Sequence, residues 1–248
     1  MNVYGLIGNP LGHSFSKKYF TKKFEKENLG DCRFELYPLS LISEFPALIE
    51  NTKDLKGLAV TIPYKQTVVA FLDDVHEEAK KIGAVNCIKI TTNKLTGYNT
   101  DVIGFEKSLK PLLQLHHTKA LVLGSGGSSK AVQYVLNKLQ IAFLVVTRNE
   151  IGAEGFINYH HVDEHIINDY PLIINCTPVG MFPDEAGQPL LPYHFLSKKN
   201  LLFDLVYRPA ETRFLASGKQ FGATVKNGLE MLMIQAEENW GIWNSGNV

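Results

Sequence analysis

Two hydrophobic rhythms alternate along the chain. Short continuous apolar runs read as strands, and stretches in which apolar residues return every three or four positions read as helices. "VYGLIG" is the first strand. "SKKYFTKKFEKENLG" reads as a helix, with Phe20 and Phe24 on one face and Gly30 as its stop signal. "RFELYPL" and "GLAVTI" read as strands, separated by the helix-like "LISEFPALIEN". "NCIKIT", the turn "TNKLTG" and "YNTD" suggest a hairpin, followed by a helix from about Val102 to Leu115. This rhythm implies βαβ units and a mainly parallel sheet. A second series opens at "HHTKALVLGSGGSSKAVQYVLNKL". Its strand "KALVLG" is apolar throughout, as a strand buried on both faces should be. "AFLVVT", "PLIINCT", "LLFDLVY" and "ATVKN" are further strand candidates, so a domain boundary is expected near residues 100–118. In the closing "GLEMLMIQAEENWGIW", Leu229, Leu232, Met233, Ala236 and Trp240 recur near helical spacing. They predict a core-facing stripe on a helix that returns to the first domain.

Composition narrows the class. The 248 residues suffice for one or two domains, and 45% are hydrophobic, enough for a sizeable core. Basic and acidic residues balance at 25 each, without the basic footprint of a nucleic-acid binder. "MNVYGLIGNP" lacks the pattern of a signal peptide, and runs such as "IAFLVV" are too short to span a bilayer. The three cysteines, Cys32, Cys87 and Cys176, are too far apart for a zinc-type cluster and read as small buried hydrophobes. An odd, sparse count fits a reducing cytoplasm. No metal is expected.

"LVLGSGGSSKA" places Gly124, Gly126 and the small Ser129 at the G-x-G-x-x-G positions, between an apolar strand and a helical pattern. The first glycine permits a tight turn, the second lets a pyrophosphate approach the backbone, and the third position needs only to be small. A helix starting near Ser128 would turn free N–H groups toward the phosphates. The next strand ends in Thr147, Arg148 and Asn149. A NAD site usually has an acidic residue near this point, for the ribose 2′-hydroxyl. A guanidinium instead suits a 2′-phosphate, so Arg148 favours NADP over NAD. Glu150 follows and is the alternative, as a ribose ligand.

The chain resembles the shikimate dehydrogenases of the aromatic amino-acid pathway, nearly end to end. "GNPLGHSFS" resembles the family's serine motif, "VTIPYK" its lysine motif, "GAVN" its asparagine motif, "NTD" its aspartate motif and "GSGGSSKA" its nucleotide loop. "INCTPVGM", "DLVYRPAETRFL" and "GLEMLMIQAEENW" follow in order and spacing. The resemblance implies NADPH-dependent, reversible reduction of 3-dehydroshikimate to shikimate. It implies a substrate-binding α/β domain over residues 1–101, with a helix over 229–248 packing back on it. A Rossmann-type NADP-binding domain over 102–228 follows, with the active site in the cleft between the domains. A small-molecule substrate is the implied partner, with no nucleic acid or membrane, and the chain is expected as a monomer or homodimer.

Ketone reduction needs a hydride from one face, a proton for the forming alkoxide and a rigidly held substrate. Lys65 and Asp101 are the expected acid/base pair, Lys65 as main acid/base and Asp101 as its partner, though residue types alone leave the order open. A free lysine titrates near ~10.4, poorly matched to neutral-pH proton transfer. Burial lowers such a value and a nearby carboxylate raises it, so a lysine–aspartate pair titrates as a unit. Pro63 is expected to fix the backbone that aims Lys65. By resemblance, Ser14 and Ser16 bind the substrate carboxylate, and Thr61, Asn86 and Gln235 hold hydroxyls or the carboxylate, with Tyr207 close by. On the cofactor side the resemblance implies Gly124, Ser125, Gly126, Gly127, Ser128, Thr147, Arg148, Asn149 and Thr177, with Gly228 and Met231 near the nicotinamide.

Several residues have plainer readings. A serine after "GNPLGH" can be a helix N-cap, and Asn99 and Thr100 can be turn and cap residues. His13 reads as structural or peripheral, and His116–His117 as a solvated pair in a linker. The chain also departs from the family pattern at Ala59, commonly asparagine, Lys17, commonly proline, and Asn227, commonly aspartate. Thr147-Arg148-Asn149 replaces the usual asparagine-arginine-threonine order. Competing readings are a NAD-dependent quinate/shikimate dehydrogenase, a folate-linked dehydrogenase of related shape, which the serines disfavour, and a non-catalytic shikimate-binding regulator, which retention of Lys65 and Asp101 disfavours.

Overall fold

The computed structural model describes residues 1–12, 14–92, 94–149 and 152–246. Two compact units are present, Met1–Thr100 with Gln235–Val248, and Asp101–Ile234.

The first unit contains β1 (Asn2–Gly8), α1 (Phe15–Lys26), β2 (Cys32–Pro38), α2 (Phe45–Asn51), β3 (Leu55–Val60), β4 (Asp74–Val75), α3 (Glu77–Ile82), β5 (Cys87–Thr91) and β6 (Lys94–Tyr98). Its sheet runs β2-β1-β3-β5-β6-β4. β1 lies parallel to β2 and β3, and β4 parallel to β6. The hairpin β5–β6 is antiparallel and pairs antiparallel with β3. Apolar residues occupy both faces, which is why β1 and β3 read as continuous runs. Val3, Ile7, Leu58 and Val60 enter one core, and Tyr4, Leu6 and Ala59 enter the other. In the second core Phe20, at helical spacing from Phe24, stacks on Phe34 with ring centroids 4.6 Å apart.

The second unit opens with α4 (Asp101–Leu109). The helix expected to reach Leu115 stops there, passing into a single 3-10 turn over Lys110–Leu112. Pro111 is the physical reason, since it supplies no N–H and biases the preceding residue away from helix. Then follow β7 (Lys119–Leu123), α5 (Gly127–Lys138), β8 (Ala142–Thr147), β9 (Phe156–Asn158), α6 (Glu164–Asp169), β10 (Leu172–Asn175), β11 (Leu201–Asp204), α7 (Arg213–Gln220) and β12 (Thr224–Lys226). The strands form one wholly parallel sheet, ordered β12-β11-β10-β7-β8-β9. Counting from β7, this is the 3-2-1-4-5-6 order of a doubly wound dinucleotide-binding fold, with its switch point between β7 and β10.

His117 corrects the reading of a solvated pair. It is buried, at 6% exposure, because the linker folds back on itself. Its Nδ1 accepts from the Gln114 backbone N–H at 3.0 Å. That leaves the proton on Nε2, which donates to the Lys199 carbonyl at 3.2 Å. Burial pushes its pKa down. His116 is exposed. Of the cysteines, Cys87 is buried, while Cys32 and Cys176 are only partly so.

The last helix, α8 (Leu229–Asn244), belongs to the first unit from Gln235 onward. Of the stripe expected to face the core, Ala236 is buried and Trp240 packs against that core, but other members are corrected. Leu229 and Met233 are exposed, and the buried positions are Met231, Gln235, Ala236, Asn239 and Trp243. Two of those five are amides, which a search for apolar periodicity passes over. Trp243 stands over Gly57, where a Cβ would come within 2.2 Å of the indole, and its Nε1 donates to the Ile88 carbonyl at 3.0 Å. Among the described residues no helix is long and apolar enough to cross a membrane. No three or more His, Cys, Asp or Glu side chains cluster as a metal site among them.

Candidate active site

In the first unit, β1 and β3 end side by side. The Thr61 N–H donates to the Ile7 carbonyl at 2.9 Å, and the Asn9 N–H to the Ile62 carbonyl at 3.0 Å. Gly8 allows this approach, since a Cβ there would lie 2.4 Å from Thr61 Cγ2. Lys65 follows in the turn after β3 and is half-buried. Several bonds hold that turn, two of them from outside it. The Tyr64 hydroxyl donates to the Leu39 carbonyl at 2.6 Å, and the Val85 N–H donates to the Lys65 carbonyl at 2.7 Å. Tyr64 and Val85 were not singled out from the sequence, where Pro63 alone drew attention.

Ser14 takes the N-cap position of α1, but its side chain makes no cap bond. Its Oγ is buried and has no hydrogen-bond partner among the described residues. An unpaired buried hydroxyl costs ~1–3 kcal/mol, so this group points to a ligand. Ser16, in the first turn of α1, is buried at 8% exposure.

Asn86 and Gln235 are brought together directly, with Asn86 Nδ2 donating to Gln235 Oε1 at 3.4 Å. Thr100 and Asn239 complete this buried cluster. The Thr100 N–H donates to Asn86 Oδ1 at 2.7 Å, the Thr100 hydroxyl to Asn239 Oδ1 at 2.7 Å, and Asn239 Nδ2 to Gln235 Oε1 at 3.3 Å. Thr100 is therefore a buried network member and more than a turn residue. Asn99 is likewise buried, donating from Nδ2 to the Ala84 carbonyl at 2.9 Å, while its Oδ1 is the second buried atom without a partner among the described residues. Asp101 comes next, buried at 4% exposure in the first turn of α4. Lys65 thus belongs to the first unit and Asp101 opens the second.

In the second unit the glycine loop leaves β7 at the switch point. Gly124 has φ +97°, and a Cβ there would lie 2.8 Å from Thr177 Cγ2, so the turn needs glycine twice over. Ser125 follows, exposed. Gly126, at φ −74°, is the N-cap of α5. A Cβ on it would meet no atom of the described residues within 4 Å. Neither backbone strain nor packing therefore requires this glycine. Gly127 and Ser128 begin α5, and Ser129 is fully buried where the helix packs. These features fit a pyrophosphate at the helix N-terminus.

Thr177 is set by a chain of buried groups that sequence reasoning missed. Asn175 Oδ1 accepts from the Thr177 N–H at 3.0 Å and hydroxyl at 2.6 Å. Asn175 Nδ2 donates to Asp204 Oδ1 at 2.9 Å, to which the Val206 N–H also donates at 3.0 Å. The Thr212 hydroxyl donates to Asp204 Oδ2 at 2.6 Å. Burial still dominates these three donors and pushes the Asp204 carboxyl up to about 6. The visible signal was a polar residue closing each of two adjacent apolar strands, Asn175 and Asp204 being register partners.

At the end of β8, Arg148 and Asn149 are exposed, and Thr147 is buried. The Thr147 hydroxyl donates to the Asn149 carbonyl at 2.6 Å, and Asn158 Nδ2 to the Arg148 carbonyl at 2.8 Å. Thr147 therefore shapes the turn that presents Arg148. Gly228 is required by packing, since a Cβ would lie 2.2 Å from the Leu205 carbonyl oxygen. Met231 is buried and Tyr207 half-buried. His13 and Glu150 lie outside the described residues.

The three departures have local explanations. Lys17 pairs with Glu35 at 2.8 Å, and Ala59 packs in the core that holds Phe20 and Trp243. Asn227 bridges from Nδ2 to the Ala210 carbonyl at 2.8 Å and accepts from the Leu229 N–H at 3.3 Å.

The strand order, the switch-point glycines and the exposed arginine after β8 define the second unit as a Rossmann-type dinucleotide-binding fold. The first unit adds an α/β sheet whose turns carry a lysine, buried hydroxyls and buried amides. Residues 6–88 match the family described as shikimate dehydrogenase substrate binding domain. The shikimate dehydrogenase (NADP(+)) of Caldanaerobacter subterraneus subsp. tengcongensis is 35% identical, over 97% of this chain and 91% of its own length. Shikimate dehydrogenase 1 of Peptoclostridium difficile superposes with a TM-score of 0.88 at 35% identity, over 100% of this chain and 93% of that one. The shikimate 5-dehydrogenase of Thermus thermophilus, solved with NADP(H) and shikimate, superposes with a TM-score of 0.86 at 32% identity, over 98% and 94%. The chain belongs to the shikimate dehydrogenase family.

Proposed function

We propose that this chain is an NADP-dependent oxidoreductase that reversibly reduces 3-dehydroshikimate to shikimate, a step of chorismate and aromatic amino-acid biosynthesis. The observation that carries the reading is the match to NADP-dependent shikimate dehydrogenases over 97% of the chain. Bound NADPH supplies the hydride. Arg148 takes the 2′-phosphate in a charge-assisted pair, and the Gly124–Ser128 backbone receives the pyrophosphate, with Thr177 and Met231 beside the cofactor. Ser14 and Ser16 bind the substrate carboxylate, the buried Ser14 hydroxyl gaining the partner it otherwise lacks. Thr61, Asn86, Gln235 and Tyr207 hold the remaining oxygens. A site built to pair hydroxyls rejects analogues lacking them by ~10⁴ or more, because its own groups go unpaired. Lys65 delivers the proton to the forming alkoxide, and Asp101 is its partner. Residues 1–101 with the closing helix serve the substrate, and residues 102–228 the cofactor. The chain acts in the cytoplasm as a monomer or homodimer, which cell fractionation and sedimentation at micromolar concentration read directly.

The test is NADP reduction on addition of shikimate, in the wild type and in Arg148→Gln. Turnover by the wild type, with an NADP KM raised about tenfold or more in the variant and the NAD KM unchanged, supports the reading. Equal effects on both cofactors remove Arg148 from it, and no turnover by the wild type removes the reaction.

A further inference from the structure

Four side chains of the first unit close a buried ring. Asn86 and Thr100 flank the β5–β6 hairpin in sequence, and Gln235 and Asn239 lie one turn apart on α8. Their exposures are 2%, 1%, 8% and 1%. The oxygen and nitrogen ends of an amide are told apart only by their partners. Here one backbone group decides all of them. The Thr100 N–H can only donate, and it points at Asn86 Oδ1, 2.7 Å away. Asn86 Nδ2 is therefore the opposite end, and it donates to Thr100 Oγ1 at 3.0 Å and to Gln235 Oε1 at 3.4 Å. Thr100 Oγ1, accepting from Asn86, sends its own hydrogen to Asn239 Oδ1 at 2.7 Å in preference to Asn86 Oδ1 at 3.2 Å. That places Asn239 Nδ2 against Gln235 Oε1, at 3.3 Å. Gln235 Oε1 thus accepts from two amides, and its Nε2 is turned the other way.

We propose that Asn239 is a positioning residue that sets the amide of Gln235, so that Gln235 meets the substrate as a hydrogen-bond donor. The inference rests on the shikimate reading above, in which Gln235 touches the substrate. A carboxylate or hydroxyl oxygen is the matching acceptor. Asn239 acts through Gln235, and through Thr100 it also ties α8 to the residue preceding Asp101.

Asn239→Asp keeps an oxygen for the Thr100 hydroxyl but sets a second oxygen against Gln235 Oε1, so that oxygen keeps only its Asn86 donor and meets a repulsion that turns the Gln235 amide from its set position. Asn239→Ala removes the same donor without burying a charge, and serves if the Asp variant does not fold. Two quantities are read in the full chain. One is the side-chain amide resonance of Gln235 by NMR, assigned from its loss in Gln235→Ala. The other is the kinetics with shikimate and NADP. The resonance is expected to shift in the unliganded Asn239 variants. The shikimate KM should rise about tenfold in Asn239→Asp, with kcat within about twofold and the NADP KM unchanged. On the Gln235→Ala background, Asn239→Ala should change the shikimate KM by less than about twofold. An unmoved resonance, or a KM increase that recurs in full on that background, overturns the proposal and leaves Asn239 a packing residue. If the wild type does not oxidise shikimate, the reaction is refuted instead, and the resonance alone decides whether Asn239 sets Gln235.

Discussion

Lys65 ends the turn after an apolar strand, and Asp101 begins a helix. On the proposed mechanism, removing either group removes one participant in proton transfer, a contribution worth ~10²–10⁴-fold. Lys65→Ala and Asp101→Asn should therefore lower kcat by about that factor in steady-state assays, and near-normal turnover in either would contradict the role. Asp204 makes a different prediction, about stability. Its folded carboxyl titrates near 6, against 3.8 in the unfolded chain, because burial disfavours its charge. Between those values the folded state holds a proton that the unfolded state has lost, so stability falls as pH rises from about 4 to about 6. Asp204→Asn cannot ionise, and its amide can keep all three partners, with Oδ1 accepting and Nδ2 donating to the Thr212 hydroxyl. Denaturant midpoints should show this variant more stable than the wild type at pH 7, by up to ~3 kcal/mol, with the gain gone below about pH 4. A gain that does not vary with pH would contradict the burial argument. Lys65 stood out in the sequence because a charge beside an apolar run is conspicuous, and the family resemblance supplied the role proposed for it. Asn175, Asp204 and Asn239 did not stand out, because their value lies in partners brought close by the fold, which residue type alone does not encode.

At the scale of elements, the strands were the most legible part. Their continuous apolar runs reflect burial on both faces, and this holds for β1, β3, β7, β10 and β11. β4 and β9, at two and three residues, are too short to carry a period. The closing helix misled because an apolar stripe was sought, whereas its inward face is part amide. The glycine loop was legible as a motif, but the motif does not say which glycine serves the fold and which the ligand. The structure requires Gly124 for the turn and shows no steric need for Gly126, which the proposed reading assigns to the cofactor. Gly124→Ala should lower the melting temperature, because φ +97° and the nearby Thr177 methyl oppose a Cβ. Gly126→Ala should cost less stability than Gly124→Ala, only the ~0.5–1 kcal/mol of a poorer N-cap, and on the proposed reading raise the NADP KM about tenfold or more. Calorimetry and cofactor titration check the pair. Equal loss of stability in both variants would contradict the division of labour.

For the whole molecule, each unit carries its own core, and basic and acidic residues balance at 25 each. The proposed reading places recognition on local groups, the Ser14 hydroxyl and the amide ring in one unit and Arg148 with the glycine loop in the other. The measurement that tests this most directly crosses shikimate and quinate against NADP and NAD in initial-rate assays of nicotinamide reduction. Fast turnover confined to shikimate with NADP is the predicted result. Comparable turnover of quinate with NAD would contradict it, and binding of shikimate without turnover would contradict catalysis by this chain altogether.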